Sequence, residues 1–268
     1  VLAQMELYGV RLDTEALADV STTFNARLND IEQEIYTLAG ESFNIASPKQ
    51  VGEILFGKMQ LVEKPKKTKT GQYVTSEEVL QQLAHQHPIV QKILQHRGLK
   101  KLLGTYVDAL PLLTDAHSHL HTTFNQAVTA TGRLSSSNPN LQNIPVRGDD
   151  GKEIRRCFVP DEHCRFFSAD YSQIELRVMA HLSQDEHLIS AFRSGHDIHA
   201  ATAAKIYKVP IEEVTRDQRT RAKRANFGII YGITTFGLAE RLDISRAEAK
   251  ALIDGYFESF PKVYEYME

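Results

Sequence analysis

The chain has 268 residues, 42% of them hydrophobic and 24% charged, with a formal net charge of −3. This composition supplies a real core and excludes disordered, collagen-like and disulfide-stapled chains. The mild acidity excludes a global attraction to polyanions, so nucleic acid must be held by local basic clusters such as Lys64–Lys69, Lys92–Lys101, Arg147–Arg156 and Arg216–Arg224. No apolar run approaches the roughly 18 residues of a membrane helix, which predicts no membrane partner. Two cysteines, Cys157 and Cys164, suit a reducing compartment and predict a cytoplasmic location. The chain opens on Val1 without a signal-peptide pattern, which leads us to expect a piece of a longer protein.

The first hundred or so residues read as helices. Leu17, Val20, Phe24, Leu28, Ile31, Ile35 and Leu38 recur at steps of three and four, placing one apolar stripe on a long helix with Thr14 as its cap and Gly40 as its stop. Ser47-Pro48 opens a short second helix, and Thr75 with Glu78 forms a capping box for a third. Pro88 begins a longer helix that ends before Pro111. The Lys-rich segment around Pro65 and Gly71 reads as a surface loop. After Pro111, His119–Thr129, Ile154–Val159 and Arg165–Ser172 are β-compatible. Between the first two lies a loop rich in Ser, Asn and Pro, Thr131–Val146. Helices return at 173–182, 185–194 and 198–207, then after capping boxes at Thr215/Gln218 and Ser245/Glu248. The layout is α+β: a helical module, a small sheet and a second helical module.

Three features carry chemistry. Asp170 follows the apolar stretch Phe166-Phe167-Ser168-Ala169 and precedes a helix, so as a strand-end carboxylate it suits a Mg²⁺ ligand, although such residues are commonly helix caps. Glu175 lies in the first turns of that helix, a placement the helix dipole alone would favour. On the Arg-rich helix, Arg219, Lys223, Phe227 and Tyr231 are spaced by fours and share one broad face over roughly 18 Å. Two cations followed by two rings match the polarity of a nucleoside triphosphate, with phosphates for the cations and a base for the rings. Gly228 and Gly232 would allow a close approach beside those rings. An amphipathic helix with a cationic rim is the competing explanation. Thirdly, the loop carrying Arg133, Asn138, Asn140, Gln142, Asn143 and Arg147 presents amides and cations able to donate to minor-groove acceptors without reading sequence. His117, His119 and His121 alternate, but a fourth zinc ligand is missing, and incidental surface histidines explain them better.

These segments match known motifs. ADYSQIELR at Ala169–Arg177 resembles the first polymerase motif of family A DNA polymerases, the family of bacterial DNA polymerase I. RTRAKRANFGIIYG at Arg219–Gly232 is similar to its second, Arg-x-x-x-Lys-x-x-x-Phe-Gly-x-x-Tyr-Gly, at every position. TATGRLSSSNPNLQNIPVR at Thr129–Arg147 resembles its primer–template segment. The resemblance runs along the whole chain. It implies a mostly helical right-hand architecture: a helical thumb with an N-terminal palm-edge segment at 1–118, a partial palm with a small antiparallel sheet at 119–183, and helical fingers at 184–268.

It also implies a DNA-directed DNA polymerase of replication and repair, a monomer whose partners are primer–template DNA and dNTPs and whose cofactor is Mg²⁺, two ions in the intact enzyme. Asp170 would ligate both ions and the Tyr171 carbonyl one of them. Arg219 and Lys223 would hold the triphosphate, with Lys223 protonating the leaving pyrophosphate. Phe227 would pack on sugar and base, and where relatives carry tyrosine it implies discrimination against dideoxynucleotides. Tyr231 would sit by the template base, and Gln173 and His199 would contact the nucleotide. Glu175 would exclude the ribose 2′-hydroxyl, which argues against a single-subunit RNA polymerase. Arg97 and Lys101 would grip the duplex backbone, while Arg133, Asn140, Gln142, Asn143 and Arg147 would face the minor groove. The family's His-Asp-Glu turn, with the second metal-bridging carboxylate, has no counterpart here and is expected beyond Glu268. His196-Asp197 and Asp185-Glu186 lie in helical segments and do not replace it. The isolated chain is therefore expected to be inactive, the alternative being a DNA-binding module without catalysis.

Overall fold

A computed structural model describes residues 1–146, 148–195 and 197–268. The chain divides into two compact units, Val1–Phe167 and Ser168–Glu268. This boundary falls inside the 119–183 segment, so the three-part division is carried forward as a proposal.

The first unit contains α1 (Leu2–Tyr8), β1 (Val10–Leu12), α2 (Thr14–Ala39), α3 (Pro48–Gly52), α4 (Glu77–Leu83), α5 (Pro88–Leu102), β2 (His119–Leu120), β3 (Thr123–Asn125), β4 (Ser135–Ser137), α6 (Asp149–Arg156) and β5 (Phe158–Val159). A π-helical stretch, Glu53–Lys58, continues α3, and another, Leu103–Val107, continues α5. The stripe read from the sequence is the buried face of α2, with Leu17, Phe24, Leu28 and Ile35 inside. Gly40 ends that helix in the left-handed conformation, φ 74°, which a glycine adopts without Cβ strain. The start is one residue earlier than expected: Asp13, not Thr14, accepts from the Ala16 amide at 2.9 Å. Likewise Ser76, not Thr75, caps α4. Thr75 is buried, and its carbonyl and hydroxyl instead accept from Arg97.

Two small antiparallel sheets are present among the described residues. β1 lies between β2 and β5, with Val10 opposite Leu120 and Leu12 opposite Phe158. β3 and β4 form a hairpin with Phe124 opposite Ser136. Three of the expected strands need correction. His119–Thr129 splits into β2 and β3, which join different sheets. Ile154 is in α6, where it is fully buried and packs with the core around Leu12, Phe24 and Leu120. Residues 165–172 form no strand: no ladder partner pairs with them among the described residues, and Phe166 and Phe167 are exposed. A strand is a paired object, and alternation alone cannot make one. The Lys-rich segment is a turn closed by a bridge between Lys67 and Tyr73, with the Lys67 ammonium 4.9 Å from the Tyr73 ring centre. The three alternating histidines serve local structure. Asp115 accepts from the His117 and His119 amides, His119 Nε2 lies 2.9 Å from Asp161, and His121 bridges the Glu6 carbonyl and Asp115.

The second unit is helical: α7 (Ile174–Ser183), α8 (Glu186–Arg193), α9 (Ile198–Tyr207), α10 (Arg216–Ile230), α11 (Thr235–Leu242), α12 (Arg246–Ser259) and α13 (Pro261–Met267). Both predicted capping boxes form, Thr215 with Gln218 and Ser245 with Glu248. Leu176, Leu188, Ile198, Ile229, Leu238, Tyr256 and Phe260 build its core. α9 and α10 pack along each other through residues small enough to let the backbones approach, since Thr202, Ala203, Ala222 and Ala225 are all 0% exposed.

Asp185 ties this unit together. It is buried, and one carboxylate oxygen caps α8 through the His187 and Leu188 amides while the other accepts from the Lys262 amide at 3.1 Å. Three donors satisfy the charge, so removing the carboxylate strands them. Asp185→Ala is expected to destabilise Ser168–Glu268 by roughly 2 kcal/mol or more. Denaturant unfolding should show this loss in the second unit while the first unit's transition is unmoved.

Candidate nucleotide and nucleic-acid site

The cation–aromatic row exists as read, on one helix of the second unit. The opposite side of α10 is sealed by Ala222, Ala225, Asn226, Gly228 and Ile229. That arrangement leaves Lys223 exposed and Arg219 and Phe227 half-buried at the rim, with Tyr231 exposed just past the helix end. Gly228 serves a close approach by the chain itself. A Cβ there would lie 2.9 Å from Ile233 Cγ2, so the missing side chain makes room for the chain's own return rather than for a ligand. Gly232 has φ +70°, which lets the backbone turn sharply after Tyr231.

Each end of the row is held by a carboxylate. Arg219 donates from Nε at 2.9 Å and from Nη2 at 2.5 Å to the same oxygen of Asp197. The other Asp197 oxygen accepts from the His199 and Ala200 amides and so caps α9. The Arg219 guanidinium and these amides hold Asp197 below the usual carboxylate range against the opposing effect of burial, and burial is the largest single influence. At the aromatic end the Tyr231 hydroxyl donates to Glu175 Oε1 at 3.4 Å, joining the first turn of α7 to the end of α10. The helical context that excludes Asp197 as the second metal-bridging carboxylate gives it this capping and pairing role instead. Its place at a helix start, with an arginine helix to follow, was the available signal.

His199 is 2% exposed and faces α10. Its Nδ1 lies 3.0 Å from the Asn226 amide nitrogen, and its ring centre is 5.7 Å from that of Phe227. Burial pushes its pKa down to about 4; Lys223 and Arg219 push the same way and Asp197 opposes them. Near neutral pH the imidazole is uncharged.

Asp170 and Tyr171 are exposed on an irregular stretch that leads into α7. Gln173 begins that helix in the left-handed conformation, φ 55°. The Ser172 carbonyl accepts from Arg177 Nε at 2.8 Å, and the Arg177 guanidinium stacks 4.6 Å from the Phe192 ring centre, which fixes the turn carrying Asp170. An accessible carboxylate and a neighbouring carbonyl are hard oxygen donors suited to Mg²⁺. Among the described residues no group of three or more His, Cys, Asp and Glu side chains is arranged to hold a metal. An ion held by these two oxygens would draw the rest of its shell from water and phosphate oxygens.

In the first unit, Arg133, Asn140, Gln142 and Asn143 are exposed on the segment around β4. The segment is firmly anchored. Thr122 Oγ1 donates to the Ser137 and Pro139 carbonyls, Asn140 Oδ1 accepts from Ser136 Oγ and the Gln142 amide, and the Tyr106 hydroxyl donates to the Asn143 carbonyl. Arg147 lies outside the described residues. Lys101 is exposed and, with Asn140 and Asn143, lines an open cleft of about 1180 Å³. Of the carboxylates in that lining, Glu34, Asp149 and Asp150 are paired with Lys92, Lys152 and Arg27. Arg97 is half-buried, and its Nη1 donates to the Thr75 carbonyl at 2.6 Å.

A family model for DNA polymerase family A matches residues 14–268, and the chain belongs to that family. Over its whole length it is 53% identical to DNA polymerase I of Bacillus caldotenax and 52% identical to DNA polymerase I of Geobacillus stearothermophilus. It spans 31% of the length of each of these relatives. Among solved structures it is similar to the POL domain of Pol1 from M. smegmatis in complex with DNA primer-template and dNTP. That likeness has a TM-score of 0.86 and 43% identity, and it covers 99% of this chain and 47% of that one. Polymerases of this family are metal-dependent. No helix of the described residues is long and apolar enough to cross a membrane.

The buried neutral His199 makes a pH prediction. Its folded pKa of about 4 lies below the ordinary 6.5, so its contribution to stability is fully present above pH 6.5 and is lost progressively as pH falls towards about 4. Unfolding of the second unit followed against pH should show this acid limb, and His199→Gln should flatten it.

Proposed function

We propose that the protein containing this chain is a DNA-directed DNA polymerase that adds dNTPs to a primer 3′ end, with 1–118 as thumb, 119–183 as part of the palm and 184–268 as fingers. The observation that carries this reading is the α10 row, two cations and two rings in order, each end held by a carboxylate. Arg219 meets the triphosphate pre-aligned: Nε and Nη2 lie on Asp197, and Nη1 has no partner among the described residues. Lys223 neutralises the phosphates and gives a proton to the departing pyrophosphate. Phe227 packs against sugar and base, held on its other side by the His199 ring, and discriminates against dideoxynucleotides. Tyr231 orders the template base, and Gln173 and His199 complete the nucleotide contacts.

Glu175, fixed by Tyr231, fills the space a 2′-hydroxyl would need. Asp170 and the Tyr171 carbonyl would hold Mg²⁺, two ions in the intact enzyme, which would supply Lewis-acid activation of a hydroxyl and charge neutralisation at a phosphoryl group. On the DNA side Arg133, Asn140, Gln142, Asn143 and Arg147 donate to minor-groove acceptors and Lys101 pairs with phosphates. Arg97, oriented by its bond to the Thr75 carbonyl, grips the duplex backbone beside Lys101. The working protein is a cytoplasmic monomer.

Two measurements test this reading. In the full-length protein, Glu175→Ala should raise ribonucleotide incorporation by roughly tenfold or more relative to dNTPs, and an unchanged ratio sinks the gate assignment. The 268-residue polypeptide alone should bind primer–template duplex with a steep negative salt dependence yet give no templated extension with Mg²⁺ and dNTPs. The chain carries no counterpart of the family's His-Asp-Glu turn, and a two-metal transfer needs that second carboxylate beside Asp170. Clear extension by this polypeptide would overturn the assignment of the missing carboxylate.

A further inference from the structure

Behind the nucleotide-facing row lies a sealed polar chain. Thr202 Oγ1 donates to the Ile198 carbonyl at 2.7 Å. Its lone pairs are then free to accept from Asn226 Nδ2, 3.2 Å away, and the second hydrogen of that amide points at His199 Nδ1 at 3.0 Å. Thr202 and Asn226 are both 0% exposed. Rotating the Asn226 amide by half a turn would set its oxygen against a hydroxyl whose proton is already committed. It would also leave two amide hydrogens in the sealed position where Oδ1 now sits without a partner. One unsatisfied acceptor costs less than two unsatisfied donors and a lone-pair clash. The orientation of the amide is therefore set, and a donor faces His199 Nδ1.

We infer that Thr202 and Asn226 are positioning residues that lock His199 in the neutral tautomer with its proton on Nε2. Nδ1 is occupied as an acceptor. Nε2 has no partner among the described residues and is not one of the sealed unpartnered atoms, which are Asn226 Oδ1 and Tyr256 OH, so it is the ring nitrogen that reaches the surface. The charged groups acting on the ring are Asp197 at the start of α9 and Lys223 and Arg219 on α10, with the two cations opposing protonation. The locked imidazole is a fixed neutral donor beside two cations. A phosphate oxygen meeting it gains a hydrogen bond without the ring having to take up a proton first. This functional half rests on the nucleotide-transfer reading; the tautomer does not.

The tautomer is read directly by nitrogen-15 NMR of the histidine-labelled 268-residue chain. The expected result is a proton-bearing Nε2 and an unprotonated Nδ1 for His199, unchanged from about pH 8 down to about pH 5. A proton on Nδ1, or a ring that charges above about pH 6, overturns the inference. Asn226→Asp should move the proton to Nδ1 and raise the titration midpoint. Should that variant fold poorly, Thr202→Val, which keeps the shape but frees the amide to rotate, should give a mixture of tautomers while Thr202→Ser restores one. An unmixed Nε2–H tautomer in a folded Thr202→Val chain would show that Thr202 sets nothing.

In the full-length protein, Asn226→Asp should raise the dNTP KM roughly tenfold near pH 8 with kcat less affected. The deficit should narrow as pH falls and the ring regains its Nε2 proton. A KM that does not move, in a variant whose tautomer has switched, overturns the phosphate-donor role of His199 and leaves the tautomer assignment standing.

Discussion

The close approach of α9 and α10 is the constraint on which the display of the cation–aromatic row depends. Ala203, Ala222 and Ala225 present almost no bulk at the contact, so the two backbones come together and the remaining positions of α10 are forced outward. Arg219, Lys223, Phe227 and Tyr231 are displayed because their neighbours one and three residues away are needed inside. A larger residue at position 222 or 225 would rotate or separate the helices. It would disperse the row even though none of the four displayed side chains had changed.

Electrostatics then refines what packing displays. A helix carrying several cations along one side would repel itself, and the Asp197 carboxylate offsets this at Arg219 while satisfying the exposed amides of the next helix start. Glu175 does the corresponding work for Tyr231 through a single hydrogen bond from another helix. Both acids thus have a structural use that leaves the chemical surface intact. The histidine between them is kept neutral chiefly by burial, and the adjacent cations act in the same direction. The local field is therefore assembled from fixed groups and needs no proton uptake from solvent.

The first unit solves a different problem, which is how to hold an irregular polar segment still. The Ser- and Asn-rich stretch around β4 has little apolar material of its own. Its backbone is fastened by Thr122, Ser136 and Tyr106, each largely buried and each bonding a carbonyl or amide of the loop. The amide side chains left over point to solvent. Anchored backbone with exposed donors suits recognition of a shape rather than of a base sequence.

The sequence by itself determined the helical modules, the capping boxes at Thr215 and Ser245 and the cation–aromatic row, because these follow from spacing along one helix. It also carried the family motifs, which are local strings. It misjudged what depends on partners distant in the chain. The stretch before Asp170 forms no strand because pairing is not a local property, and Ser76 caps α4 in place of Thr75, which is buried against Arg97. Asp197, Thr202 and Asn226 could not be singled out, since their roles arise only once α9 and α10 are side by side. Periodicity is written in consecutive residues, whereas hydrogen-bond partnership and burial are decided by which surfaces the folded chain brings together.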